Sequence, residues 1–513
     1  MSKTASLAER MAADGYDGYA YSYPHKTAYA PLDPPVSLEQ AWRGEDTSKL
    51  FLYTHLPFCE MRCGFCNLFT TIRPGQDLVQ RTLDAIERQS RVVADCVQPK
   101  GVVQAAFGGG TPSYLNEREL ERLFGILTKH WKVDFSSIPV SFETSPGTVT
   151  PEKLALLRQL GVDRLSMGVQ SFVAEDLAAL KRPQNTEQVL QACQWIKEAG
   201  FPIFNIDLIY GNQDQSAASW QLCLERAVAW LPQELYLYPL YVGKLTNLDR
   251  LGRRPGQYRR DFFEQARDYL TSVGYRPISM RLFQRVPNSS QASKFSIDIG
   301  EPNLAISKGI AGQSSPRTAM SNDSALKFSP KTAMAKGFAG GAQLGNPQDL
   351  VSVYGSRGSA PGGGWCCQED GMVGLGPGAR SYTKTLHYSS EYAIGQPGVR
   401  AIIQDFGQRT DSQFSLADYG VRLDPSEQKR RYLIKSLLRA EGLNLPDYQQ
   451  HHPDSPGLLA DFPQIQELLQ LDLAELNSTT LRLTPQGLSW TDTIGPWLYS
   501  EDMTQRMQTY QFT

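Results

Sequence analysis

From Leu50 onward the chain alternates short β-branched and aromatic runs with longer amphipathic stretches, and no other feature of the 513 residues restricts the fold as much. Residues 50–55, 103–107, 139–143, 164–169, 204–209 and 234–238 read as strands. Helical periodicity fills 77–96, 116–130, 151–160, 185–199 and 216–230. One helix carries both of its boundary signals. Thr150 is placed as N-cap with Pro151 in the first turn, Leu154, Leu157 and Leu160 form one face, and Gly161 ends it. Six strand–helix repeats in about 190 residues imply parallel strands joined by crossover helices. A closed eightfold barrel takes roughly 250 residues, so an α/β fold built on a partial (β/α)6 barrel is expected over 49–286.

The flanks have a different texture. Residues 1–48 are rich in Tyr and Pro, and read as an extended arm lying on a domain surface. Residues 287–363 are dense in Ser, Gly, Ala, Asn and Pro and carry the near-repeat SPRTAM (315–320) and SPKTAM (329–334), which reads as a flexible low-complexity insertion. Structure resumes at 364–410 as a continuation of the barrel. Residues 411–513 read as a C-terminal helical and winged domain, with helix patterns at 425–440 and 463–471 and a strand–turn–helix at 481–492. That domain is expected to serve packing or closure over substrate, because its helices are mixed in charge.

Charge excludes one class of function. Lys and Arg total 51 and Asp and Glu 53, so the chain has no basic footprint for dedicated nucleic-acid binding. No run reaches the roughly 18 apolar residues of a membrane span, and the polar start is not a signal peptide. Eight cysteines are too few for a disulfide scaffold. A cytoplasmic protein with free thiols is expected.

Three of those cysteines carry the chemistry. Cys59, Cys63 and Cys66 have the spacing C-x3-C-x2-C directly after the first strand. Thiolates select zinc or iron–sulfur clusters, and structural zinc needs a fourth ligand that does not follow nearby. Three cysteines on one loop can hold three irons of a [4Fe–4S] cube and leave the fourth open to an amino and carboxylate group. Gly108, Gly109 and Gly110 follow a strand and allow a close backbone approach. Glu143, Gln170 and Asp207 each fall at the C-terminal end of a strand, where parallel α/β folds place their sites.

The motifs YTHLPFCEMRCGFC (53–66), FGGGTPSYL (107–115), ETSP (143–146), RLSMGVQSF (164–172), IDLIYG (206–211) and LTPQG (483–487) occur in this order. As a set they make the chain resemble the radical SAM superfamily, and within it the oxygen-independent coproporphyrinogen III oxidase-like family, which includes heme chaperones and radical methyltransferases. The resemblance implies a [4Fe–4S] cluster on Cys59, Cys63 and Cys66 that chelates S-adenosyl-L-methionine (SAM) and cleaves it reductively to a 5′-deoxyadenosyl radical. It implies SAM contacts from Gly109, Gly110, Thr111, Glu143, Gln170 and Asp207. Arg182 would pair with the SAM carboxylate, and Tyr53 and Phe65 would sit beside cluster and adenosine. It further implies a small-molecule substrate, with a tetrapyrrole as the candidate, and a low-potential electron donor of the flavodoxin or ferredoxin type.

Two departures bear on the reaction. The oxidases carry a further cysteine just after the third ligand, where this chain has Asn67 and Leu68. The chaperones carry an Arg/His-Asn-x-x-Tyr-Trp element for heme, where this chain offers His387, Tyr388 and Tyr392. Heme is therefore carried as a further candidate cofactor, with His387 as its candidate ligand. Cys366 and Cys367 are adjacent and on a strand would point to opposite faces, which suits buried packing.

Overall fold

The computed structural model describes residues 5–13, 16, 22–287 and 370–510. Residues 288–363 of the expected insertion, and Cys366 with Cys367, lie outside the described residues.

Six parallel strands form the centre: β1 (Leu50–Leu56), β2 (Val102–Gly109), β3 (Val140–Thr144), β4 (Arg164–Gln170), β5 (Ile203–Tyr210) and β6 (Glu234–Pro239). Each pairs with the next in chain order, which is what right-handed strand–helix–strand crossovers produce. Helices Gln76–Val97, Glu117–Trp131, Pro151–Gln159, Thr186–Ala199 and Ala217–Val228 make the crossovers. Their boundaries follow local chemistry. Asn116 and Glu119 close a reciprocal capping box, and the face Leu120, Leu123, Phe124, Leu127, Trp131 is buried. Thr150 accepts from the Lys153 amide as an N-cap, Leu154 and Leu157 are fully buried, and Gly161 turns the chain with φ +91°.

The sheet is larger than six strands. A seventh parallel strand, β7 (Met372–Leu375), pairs with β1, so the chain returns after residue 369 to the side opposite β6. Antiparallel strands extend both flanks into a 13-stranded sheet, which is open among the described residues. Its outer edge beyond β7 is Ala30–Ser37, paired with Leu416–Arg422. The Tyr- and Pro-rich segment is thus extended, but it is a sheet strand and not only a surface arm. Pro31, Pro34 and Pro35 are tolerated because the strand lies at an edge and its register breaks between Pro31 and Val36. Leu416–Arg422 belongs to this large sheet as well, so residues 416–422 go with the barrel and not with the C-terminal unit.

That unit has a three-stranded antiparallel sheet of Leu443–Asn444, Thr480–Leu483 and Ala474–Leu476, with helices around it. Its core also buries Leu7, Tyr23 and Tyr29 from the N-terminal segment. A buried ion pair, Arg281 to Asp492 at 2.6 Å, ties it to the barrel.

Alternation along the parallel strands separates two environments. Leu52, Phe107, Phe142, Leu165, Met167, Ile206, Leu208 and Leu237 point outward into the main core under the helices. The opposite face carries Tyr53, Ser141, Glu143, Arg164, Ser166, Gln170, Asn205, Asp207 and Glu234. This barrel has a polar interior, unlike one filled by layers of branched aliphatic side chains.

Candidate functional site

The loop after β1 holds the three cysteines, and four neighbours clamp it. Phe58–Cys59 pairs in parallel with Thr71–Ile72. The Gly110 amide donates to Leu56 O at 2.8 Å and the Thr111 amide to Phe58 O at 2.7 Å, so the glycine run continues the β1–β2 ladder into the loop. The Gly64 amide donates to Leu180 O and Lys181 O, and the Leu248 amide donates to Gly64 O. From the far side, Arg62 Nη2 donates to Ile394 O at 2.7 Å and the Tyr392 hydroxyl donates to Asn67 O at 2.5 Å.

The glycines do more than admit a ligand. Gly109 has φ +109°, and a Cβ there would come 2.6 Å from the His55 ring. At Gly110 a Cβ would lie 2.6 Å from Phe58 O. The run is therefore required first by the closeness of the cysteine loop itself.

Cys59, Cys63 and Cys66 all face one cavity of about 520 Å³ at the C-terminal ends of the parallel strands. Tyr53, Phe65, Gly109, Gly110, Thr111, Glu143, Gln170, Arg182 and Asp207 line the same cavity. The cysteines and the residues that the resemblance assigns to SAM thus line one cavity, while Gly108 and the LTPQG segment (483–487) do not. Among the described residues no three His, Cys, Asp or Glu side chains converge on a single-ion position. In a cube each thiolate binds a different iron, so no single-ion position is needed.

Burial pushes the Cys59 thiol up to about 12, with the neighbouring Cys66 adding to it. Burial and then Cys63 raise Cys66 in the same sense. Such thiols stay protonated until a cation replaces the protons, and bound iron supplies that charge. The donor set therefore fits an iron–sulfur cluster. Thr111 Oγ1 lies 3.6 Å from Cys59 Sγ, and Arg182 Nη1 lies 2.9 Å from Cys63 Sγ. Arg182 is also held by Gly168 O and by Gln184 Oε1, and its fork retains further N–H donors.

Across the cavity stand the carboxylates. Glu143 Oε2 accepts from the Gly109 amide at 3.2 Å. Asp207 accepts from Asn205 Nδ2 at 2.7 Å and from Ser166 Oγ at 3.2 Å. Burial, reinforced by Asp207, raises the Glu143 carboxyl to about 7. Burial raises Asp207 to about 6, opposed chiefly by Arg164. Beneath them Arg164 pairs with Glu234 at 2.8 Å and donates to Ser141 Oγ at 3.0 Å, with both charged side chains buried. Gln170 ends β4 with φ +70°, at the register shift between β4 and β5. A non-glycine residue in that region costs about 1–3 kcal/mol, and such strain concentrates at ligand sites.

Several lining residues were not singled out by the sequence. His55 bridges Tyr53 and the Phe69 carbonyl, and burial lowers its pKa to about 4, so it is neutral. Its position two residues after Tyr53 on a strand was the signal available. Lys26 lies 3.6 Å over the Tyr392 ring beside Arg380, on the cysteine side of the cavity. Burial, then Arg380, push its pKa well below the lysine range. No local pattern marks Lys26 or Arg380. His387, in contrast, is fully buried on Leu386–Ser389 against the Tyr382 ring and is not among the cavity residues. It does not reach the cavity as a heme ligand would.

Residues 53–219 match the family model described as the radical SAM superfamily. The chain is 30% identical over 283 residues to oxygen-independent coproporphyrinogen III oxidase of Salmonella typhimurium, covering 52% of this chain and 61% of the relative. It is 29% identical over 236 residues to heme chaperone HemW of Haemophilus influenzae, covering 44% and 60% respectively. The match thus spans about three fifths of these relatives' length. In structure the chain resembles coproporphyrinogen III oxidase of Escherichia coli, with a TM-score of 0.67 at 22% identity over 92% of this chain and 96% of that one. This likeness supports the partial-barrel fold with its C-terminal unit.

Proposed function

We propose that this chain, whose residues 53–219 match the radical SAM family model and which is similar to coproporphyrinogen III oxidases and heme chaperones, binds a [4Fe–4S] cluster on Cys59, Cys63 and Cys66 and cleaves SAM reductively. One observation carries the reading: these thiols share one cavity with Tyr53, Phe65, Gly109, Gly110, Thr111, Glu143, Gln170, Arg182 and Asp207. When bound, cluster and SAM supply a one-electron cleavage that yields methionine and a 5′-deoxyadenosyl radical.

The chain's own groups do the rest. Gly109, Gly110 and Thr111 present backbone at the edge of the cysteine loop, where the methionine moiety is to lie. Arg182, fixed at Cys63, offers its free donors to the SAM carboxylate. Glu143 and Asp207 place hydrogen-bond acceptors and negative charge toward the amino group and the sulfonium cation. Phe65 and Tyr53 provide flat apolar surface for the adenosine. The remaining cavity, on the Lys26, Arg380 and Tyr392 side, is left for substrate.

Anaerobically reconstituted protein with dithionite should release methionine and 5′-deoxyadenosine slowly without added substrate. Coproporphyrinogen III should not turn over, because Asn67 and Leu68 stand where the oxidases have their additional cysteine. S-adenosylhomocysteine among the products would assign methyl transfer. Fully reduced protein that forms no deoxyadenosine yet takes up one heme per chain would replace the enzyme reading with a carrier.

Affinity for SAM should depend on pH in a definite sense. Glu143 and Asp207 titrate near 7 and 6 before ligand enters. A cationic ligand favours their ionised forms, so binding releases protons and tightens as pH rises from 6 to 8. Titration calorimetry of cluster-loaded protein across that range tests this. A flat or reversed profile would remove these carboxylates from the cationic end of SAM.

A further inference from the structure

The proposed cleavage consumes one electron from outside, and the surface nearest the cysteine loop has the character of a docking site. Gly64, between Cys63 and Cys66, has no side chain between it and the next layer of protein. A Cβ there would lie 2.6 Å from Lys181 Cβ and 2.7 Å from Leu180 O. Its amide donates to Leu180 O and Lys181 O at 3.1 Å each, and its carbonyl accepts from the Leu248 amide at 2.9 Å. Leu180 and Leu248 also pack beneath Phe65. One backbone layer and three hydrogen bonds thus separate the loop from two segments that reach solvent.

Both segments carry exposed cations. Lys181 and Arg250 are exposed, and the Arg254 side chain is 65% exposed. Residues 244–254 hold Lys244, Arg250, Arg253 and Arg254 against a single acid, Asp249, in a chain whose formal charge is −2. Among these charges Leu251 is 53% exposed, one of the two most exposed large hydrophobic residues described. Asp214 pairs with Arg253 at 2.9 Å and Asp249 with Arg254 at 3.5 Å, so the patch keeps an excess of positive charge carried by Lys181, Lys244 and Arg250. An apolar contact within a net positive patch, close to a redox loop, suits a transient complex steered by complementary charge.

We propose that Lys181, Arg250, Leu251 and Arg254 form the docking surface for a small acidic protein that carries one electron at low potential. The proposal rests on the cluster reading above. In the docked complex the carrier is oxidised by one electron and the cluster is reduced by one. With a flavin carrier the hydroquinone anion becomes the neutral semiquinone, so no proton moves and no bond forms or breaks.

The test uses the cluster-loaded full chain, a reduced bacterial flavodoxin as probe, and the triple variant Lys181→Glu/Arg250→Glu/Arg254→Glu. Stopped-flow absorbance should show cluster reduction by flavodoxin slowed at least about tenfold, with the steep salt dependence of the parent lost. Reduction by dithionite, which needs no docking surface, should be unchanged. Equal flavodoxin rates in parent and variant would overturn the proposal. Zero-length carbodiimide cross-linking of the unmodified protein to flavodoxin supplies a measurement free of substitutions. Cross-links at Lys181 are expected, and cross-links confined to other faces would also overturn it. If dithionite-reduced protein fails to cleave SAM, the function reading falls, while the flavodoxin rates and cross-links still decide the docking surface.

Discussion

Alanine at Cys59, Cys63 and Cys66 together is expected to remove about four irons per chain, the brown colour and all deoxyadenosine formation. Protein contacts that involve no metal hold the path of the loop. The pairing of Phe58–Cys59 with Thr71–Ile72, the Gly110 and Thr111 amides, and the Tyr392 and Arg62 contacts hold it through backbone groups. The triple variant should therefore keep the far-ultraviolet dichroism of the parent while losing the site. Burial, with the neighbouring thiols adding to it, raises the Cys59 and Cys66 thiols, a cost that a bound cation offsets. Iron retained by the triple variant, or zinc in place of iron in strictly anaerobic parent protein, would refute the assignment.

The second large effect lies below the cavity. Glu234→Ala should destabilise the protein by about 3–5 kcal/mol, because it leaves the Arg164 guanidinium buried without its counter-charge. A marked fall in the thermal midpoint is the readout. Arg164 also opposes the burial that raises Glu143 and Asp207, so the same pair bears on SAM binding. The double variant Arg164→Met/Glu234→Leu separates the two roles. Replacing a buried pair by apolar groups of similar volume is often close to neutral for stability. Removing the cation leaves Glu143 harder to ionise, and Asp207 less so because the loss of Glu234 offsets part of the effect. The double variant should regain most of the thermal midpoint yet bind SAM weakly at pH 7, with affinity returning at higher pH. Parent-like affinity at pH 7 would show that Arg164 has no part in setting the charge of the site.

What could be read before the coordinates divides along the range of the interactions. The central strands and helices were legible because each is determined within a dozen residues. The alternation of Leu165 and Met167 with Arg164 and Ser166 marks a strand with one polar face. Thr150, Pro151 and Gly161 mark both ends of a helix. The cavity residues were legible because their motifs fall at strand ends, and parallel strands bring those ends together. Sheet order was not legible. Nothing near Met372 states that it pairs with Phe51, and nothing near Ala30 names Gly420 as its partner. Lys26 and Arg380 stayed hidden for the same reason, since their neighbours in space are distant in the chain. His55 was within reach, as the next inward position after Tyr53.

The pairing of Ala30–Ser37 with Leu416–Arg422 has a consequence for how the chain is made. During synthesis this early strand leaves the ribosome long before its partner exists, and at about 5–20 residues per second the wait is tens of seconds. An unpaired strand with a free hydrogen-bonding edge invites association between nascent chains. Pro31, Pro34 and Pro35 lack the amide hydrogens that such pairing needs. The residues that break the register of the finished sheet thus also keep this strand from recruiting a neighbour while it waits. The clamp on the cysteine loop has a similar timing, since Tyr392 and Ile394 arrive after most of the barrel. The central strands can assemble first, and the loop receives its last backbone contacts only when the outer sheet closes over it.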